Sequence, residues 1–125
     1  VSQDGIAERG RPIAINVQRL TAGHTVVHLV GDLIGDAPAA MQQALIDELS
    51  RAPAQLIVDL SAITCLDAGG VHALAAAAAV AGESDRAFCL VAGKTGPVQA
   101  ALATDQFREL FEIFSSVSEA VLDSR

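Results

Sequence analysis

The feature that most constrains this chain lies between residues 56 and 92, where an apolar run, a glycine-rich break, an alanine-rich segment and a second apolar run follow one another. Leu56-Ile57-Val58-Asp59-Leu60 is a short run of the kind that parallel sheets bury on both faces. After Asp67-Ala68-Gly69-Gly70, the segment Val71 to Ala81 reads as a helix ending at Gly82, a residue type common just past helix ends. Ala87 to Ala92, with Phe88, Leu90 and Val91, returns as a strand. Strands separated by helices imply crossover connections and a mainly parallel sheet.

The flanking sequence extends this unit. Ile13, Ile15 and Val17 alternate with the period of a half-buried strand, Thr21-Ala22-Gly23-His24 supplies a turn, and Thr25 to Val30 forms the return strand, ending at Gly31-Asp32. Asp36 stands where a cap belongs, before a helix whose apolar face is Met41, Ala44, Leu45 and Leu49. Gln42, Gln43, Asp47 and Arg51 take its other side. Pro53 stops that helix. A short helix is expected from Pro97, with Val98, Ala101 and Leu102 on one face, and Phe111 to Phe114 is a strand candidate. Ser116-Val117-Ser118-Glu119 has the spacing of a capping box before a last helix. The expected fold is α/β, with a mixed, mainly parallel sheet of four to five strands, about four helices and the order ββαβαβαβα. Residues 1–12 lack an apolar stretch and read as a flexible leader, not a secretion signal, and residues 13–123 read as a single domain.

Composition excludes several functions. Fifteen acids against eight bases leave a net charge of −7, which repels phosphate backbones and disfavours nucleic acid. The longest run free of charge and strong polarity, around Val71 to Gly82 and interrupted by His72, is about half the ~20 residues of a membrane span, so no membrane insertion is expected. Only two cysteines occur, Cys65 and Cys89, each in an apolar stretch, which suits reduced thiols and a cytoplasmic location.

Gly93-Lys94-Thr95 copies the tail of a phosphate-binding loop, but Phe88 occupies the position of its first glycine, so the segment reads as a strand-to-helix turn. No nucleophile elbow or paired base accompanies any serine or cysteine, and no enzyme is expected. His24 and His28 share a strand face but lie roughly 13 Å apart at ~3.3 Å per residue, too far to share a metal, and both read as edge or rim residues. No cofactor or metal is implied. If Asp67 and Gly93 mark equivalent rim positions, Cys65 and Cys89 are offset by about two residues, or ~7 Å, which leaves a redox bridge geometrically open. Both also read as buried small hydrophobes.

The most informative segment is Cys65 to Leu74. Asp67 sits at a helix N-cap position, where its carboxylate accepts backbone N–H groups and opposes the macrodipole. Ala68, Gly69 and Gly70 leave the helix start bare, so that a partner can approach the backbone closely. At this point the chain resembles the STAS family, named for sulfate transporters and anti-sigma factor antagonists. The resemblance spans about Ile13 to Leu122. It rests on Val30-Gly31-Asp32-Leu33, Leu56 to Leu60 with Ser61, Leu66-Asp67-Ala68-Gly69-Gly70-Val71, and Phe114-Ser115-Ser116-Val117-Ser118-Glu119-Ala120-Val121.

The resemblance implies a cytoplasmic, non-enzymatic anti-sigma factor antagonist that works by partner switching. Its partner would be an anti-sigma factor of the histidine-kinase-like ATPase fold, and its binding rim would comprise Asp32, Thr64, Asp67, Ala68, Gly69, Gly70 and His72. The family usually reads Asp-Ser-Ser-Gly or Asp-Ser-Ala-Gly here, with a phosphorylatable serine two residues after the Asp. Gly69 holds that position and has no hydroxyl. The chain is therefore expected either to escape kinase inactivation or to take another input. Thr64, which also reads as a plain strand-end threonine, is the candidate substitute phosphosite, and Cys65 with Cys89 is the candidate redox route. The alternative role is a STAS-type accessory or ligand-sensing subunit of a transport or signalling complex.

Overall fold

A computed structural model describes residues 13–93, 98, 100 and 111–123. Its elements are β1 (Ala14–Arg19), a 3-10 turn (Thr21–Gly23), β2 (His24–Leu33), α1 (Ala37–Leu49), β3 (Gln55–Leu66), α2 (Ala68–Glu83), β4 (Ala87–Val91), β5 (Glu112–Phe114) and α3 (Val117–Asp123). The strands form one five-stranded sheet in the order β1-β2-β3-β4-β5. β1 runs antiparallel to β2, and the three remaining pairings are parallel. This is the expected mixed α/β architecture. Three helices are delimited among the described residues, against about four expected. Val98 and Ala100 are helical and Val98 is buried, whereas Lys94, Thr95, Ala101, Leu102 and the expected leader over 1–12 lie outside the described residues.

Strand alternation sorts the core into two layers. Val27, Leu29 and Leu33 of β2, Leu56, Val58 and Leu60 of β3 and Leu90 of β4 face Met41, Leu45 and Leu49 of α1 and Val71, Leu74 and Ala77 of α2. On the other face Val26, Ile57, Cys89 and Val91 meet Ala120 of α3, with Leu20, Phe114, Val117 and Val121 around them. The core strands are therefore apolar on both faces where helices cover both, as the Leu56 to Leu60 run requires. At the entry to α3, Glu119 N donates to Ser116 Oγ at 3.1 Å, while its carboxylate accepts from Ser115 N and Oγ. The capping box forms, with the return bond taken one residue earlier than Ser116.

Several boundaries differ from the expected ones. β2 continues through Gly31 and Asp32 to Leu33, and β3 runs on beyond Leu60 to Leu66. The extension is carried by parallel pairing from Val30↔Ala62 to Leu33↔Leu66, with register shifts between His28 and Val30 and between Gly31 and Asp32. These bulges break the period of 2 that a sequence reading follows. α2, by contrast, starts at Ala68 as its expected Asp67 cap requires, three residues before the apolar run from Val71 begins. Asp36 occupies the N-cap position of α1 but makes no side-chain capping bond, having αR dihedrals of −86° and −12° instead of the extended ones that direct a cap.

The cysteine geometry is a further correction. Cys89 pairs with Ile57, whereas Cys65 pairs with Asp32 near the far end of β3. Eight residues of strand separate Ile57 from Cys65, so the two thiols lie more than about 20 Å apart and cannot bridge. Asp67 and Gly93 are not equivalent rim positions, because β4 stops at Val91 while β3 overruns it. Only Cys89 is a buried hydrophobe; Cys65 is exposed.

Candidate functional site

The long pairing of β2 with β3 ends at Leu33↔Leu66, and the chain turns there into α2. Asp67 has extended dihedrals (φ −101°, ψ −178°), and its Oδ1 accepts the Gly70 backbone N–H at 2.8 Å. Its own N–H reaches Leu33 O at 3.4 Å, tying the helix start to the end of β2. The sequence reading of Asp67 as an N-cap is thus met in full.

The two glycines behind it differ in kind. A Cβ on Gly70 would lie 2.5 Å from Leu66 Cδ1 and 3.0 Å from the Leu33 carbonyl oxygen, so glycine lets α2 sit directly on the strand ends. Gly70 is buried and belongs to the packing, not to the accessible rim. A Cβ on Gly69 would meet Asp67 Oδ1 at 3.3 Å and Pro38 Cγ at 3.7 Å, and the residue is exposed. The backbone does not demand glycine there. Asp67, Ala68, Gly69 and His72 together form an exposed first turn of α2.

Asp32 and Thr64 form a separate pair. Leu33 and Leu66 face the helices, so their neighbours Asp32 and Cys65 point to the opposite face of the sheet. The register steps from Gly31↔Ile63 to Asp32↔Cys65, leaving Thr64 as the extra residue of a bulge. Its Oγ1 donates to Asp32 Oδ1, with Gly31 O also at 3.3 Å. Gly31 takes φ 121°, in the range that favours glycine, which lets the strand kink at this point. Among the described residues no hydrogen bond joins this pair to the Asp67 cap. The residues expected to make one rim thus lie in two groups, one at the start of α2 and one on the opposite face of the sheet near the ends of β2 and β3.

The same open face carries a network that sequence reasoning missed. His28 Nδ1 lies 2.8 Å from Asp59 Oδ2 and its Nε2 lies 3.1 Å from Gln18 Oε1. Asp59 Oδ1 accepts from both the hydroxyl (2.6 Å) and the amide (3.0 Å) of Ser61. Partial burial raises the Asp59 pKa, but the Ser61 hydrogen bonds and His28 outweigh it and hold the carboxyl below its ordinary 3.8. His24 Nδ1 meets Gln55 Oε1 at 2.7 Å, while Gln55 Nε2 points to Cys89 Sγ and the Ala120 carbonyl. Gln55 thereby presents an acceptor, so the proton sits on His24 Nδ1. Both histidines are on β2, an interior strand, so neither is an edge residue; His28 pairs across strands with Asp59, and His24, at the end where β2 begins, pairs with Gln55. The register pairs His28↔Asp59 and His24↔Gln55 follow from strand order, which no local pattern reveals.

Glu48 was also missed. It lies on α1 one step from the apolar stripe, is 7% exposed, and accepts from Arg19 at 3.0 and 3.1 Å and from Arg51 at 3.5 Å. Arg19 also lines a pocket with Thr21, His24 and Val121 at the end of the strands remote from Asp67. Among the described residues no three metal-ligating side chains gather, and no helix is long and apolar enough to cross a membrane.

The fold has close counterparts. An anti-sigma factor antagonist from Mycobacterium paratuberculosis superposes with a TM-score of 0.78 at 22% identity, over 90% of this chain and 94% of that one. The unphosphorylated form of the anti-sigma factor antagonist SpoIIAA gives 0.71 at 15% identity, over 86% and 93%. The murine Solute Carrier 26 family member A9 anion transporter gives 0.74 at 18% identity, over 98% of this chain but only 24% of the transporter. At these identities the likeness establishes the fold. No functionally curated protein matches the sequence significantly. The family model described as "Mlab, STAS domain" matches residues 16–115, from β1 through β5 to the residue after it, and on that match the chain belongs to the STAS domain family.

Proposed function

We propose that this chain is a non-enzymatic, cytoplasmic anti-sigma factor antagonist that acts by partner switching. Its partner is an anti-sigma factor of the histidine-kinase-like ATPase fold, docked on the first turn of α2 around Asp67, Ala68, Gly69 and His72, with Asp32 and Thr64 on the flank. The observation that carries this reading is the bare, exposed turn at Ala68 and Gly69, held rigid by the Asp67 cap and by the packing of Gly70. Two structural counterparts with antagonist names, covering nearly their full lengths, support the same role.

On this reading the serine switch is absent, because Gly69 stands at the acceptor position. A phosphate there would add a charge of about −1.5 to −2 beside Asp67 and oppose docking, an inhibition this chain escapes. If the switch has moved to Thr64, the phosphate would displace the hydroxyl from Asp32 and set like charges together. The strand register holds Cys65 and Cys89 too far apart for a disulfide to serve as such a switch.

Binding of the purified protein to the kinase-like anti-sigma factors of its own cell, with and without ATP and with intact masses recorded, tests the proposal. Wild type should bind and stay unmodified, and Gly69→Ser should gain phosphate and dissociate. A Cβ at this site meets nothing closer than 3.3 Å, so the variant should fold. Failure of both proteins to bind any such factor overturns the reading. The second reading, an accessory subunit of a transport complex, is favoured by the Mlab name of the family model and by the match to an anion transporter. Co-purification with a transport ATPase or permease subunit would establish it.

A further inference from the structure

Sheet order leaves β1 on the outside, paired on one side to β2 over all six residues without a register shift. Edge strands are normally protected by proline, lysine, a bulge or an inward-pointing charge. Ala14-Ile15-Asn16-Val17-Gln18-Arg19 has none of these before Arg19, whose charge is already met by Glu48. The strand carries no acid in a chain of net charge −7, so two copies approaching here bring no like charges together along the edge. Val17 is 38% exposed, large for a strand valine on the face that Ile13 and Ile15 use to pack against the core.

We propose that β1 is a homodimer interface, pairing antiparallel with β1 of a second copy about a two-fold axis at Asn16. In antiparallel pairing about a perpendicular two-fold, directly opposite residues share a face. The axis at Asn16 sets Ile15 against the second copy's Val17 and Val17 against its Ile15, and lays the Arg19 stem beside Ile13. On the other face the two Asn16 amides meet, each offering a donor and an acceptor, while Ala14 opposes Gln18. The Asn16 side chain makes no hydrogen bond among the described residues, so its amide is available. The outer edge at β5 is only three residues long, which disfavours β1 to β5 stacking into open filaments and favours the closed pair. The two-fold reverses strand direction, so the dimer carries its two α2 first turns at opposite ends, both uncovered.

Sedimentation velocity of the full chain across a concentration series tests this. Wild type should show a reversible monomer–dimer equilibrium. Asn16→Lys places like charges directly opposite on the axis and should weaken it roughly tenfold or more while leaving the thermal melt cooperative. A wild type that stays monomeric at the highest concentration overturns the proposal, as does a dimer that Asn16→Lys leaves unchanged. Should Asn16→Lys fail to fold, cysteine placement decides. In a Cys65→Ser background, Asn16→Cys should oxidise to an intermolecular disulfide and Ala14→Cys should not, and the reverse result overturns the register.

Discussion

Adjacent glycines at the start of α2 should respond differently to the same substitution. In Gly70→Ala the new methyl would sit 2.5 Å from Leu66 Cδ1, 3.0 Å from Leu33 O and 3.1 Å from Leu33 Cγ. The leucine tip can rotate, but the carbonyl belongs to the β2 backbone and is fixed by the sheet. Overpacking of this kind costs about 1–3 kcal/mol, against about 0.5–1 kcal/mol gained from alanine's helix propensity. Gly70→Ala should therefore lose about 1 kcal/mol, within a net range of roughly 0 to 2.5 kcal/mol. In Gly69→Ala the methyl meets only the Asp67 Oδ1 tip at 3.3 Å and Pro38 Cγ at 3.7 Å, so a small shift of the capping carboxylate offsets part of alanine's helix preference and stability should stay within about 0.8 kcal/mol of wild type. Urea unfolding followed by far-UV circular dichroism, with equal m-values required, measures both. A Gly70→Ala variant as stable as Gly69→Ala would refute the idea that glycine is kept at position 70 for close packing and at 69 for an exposed, bare turn.

The Asp67 cap should be worth about 1 kcal/mol, so Asp67→Ala should lower the urea midpoint while Asp67→Asn, which keeps an acceptor, should recover most of it. Asp59 has a folded-state pKa below its unfolded value, so its contribution to stability is complete above about pH 4 and disappears as pH falls through the lowered value. Denaturation midpoints measured from neutral pH downward should show a shallower acid loss in Asp59→Asn, and an unchanged acid limb would contradict the Ser61 and His28 bonding. Thiol labelling of the native protein should modify exposed Cys65 rapidly and buried Cys89 only on unfolding, and mild oxidants should form no internal bridge. An intramolecular disulfide in the folded monomer would invalidate the β3 to β4 register.

Local chemistry made much of this fold readable. The alternation of Ile13, Ile15 and Val17, the Leu56 to Leu60 run, the Asp67 cap and the Ser116 to Glu119 capping box each express a preference decided within a few residues, and each marks an element that forms there, although Val17 is exposed and Glu119 takes its return bond from Ser115. The end of β3 was not readable in that way. Residues 61–65 mix polar and apolar types without alternation, and they are held extended by pairing with β2 across two bulges, an interaction more than thirty residues distant in sequence. Everything that depended on where β3 ends shifted with it, including the cysteine spacing and the assumed single rim.

The amino-acid sequence by itself determined the class of the fold, the position and cap of α2, and the absence of a hydroxyl at residue 69. Those are properties of single residues and short periods. Tertiary structure alone decided that Gly70 is packing while Gly69 is surface, that Asp32 and Thr64 pair on the opposite face from the helix turn, and that His28 and Glu48 are anchored by Asp59 and Arg19. Each of these depends on which strand lies beside which and in what register, and that is settled by burial of the whole core.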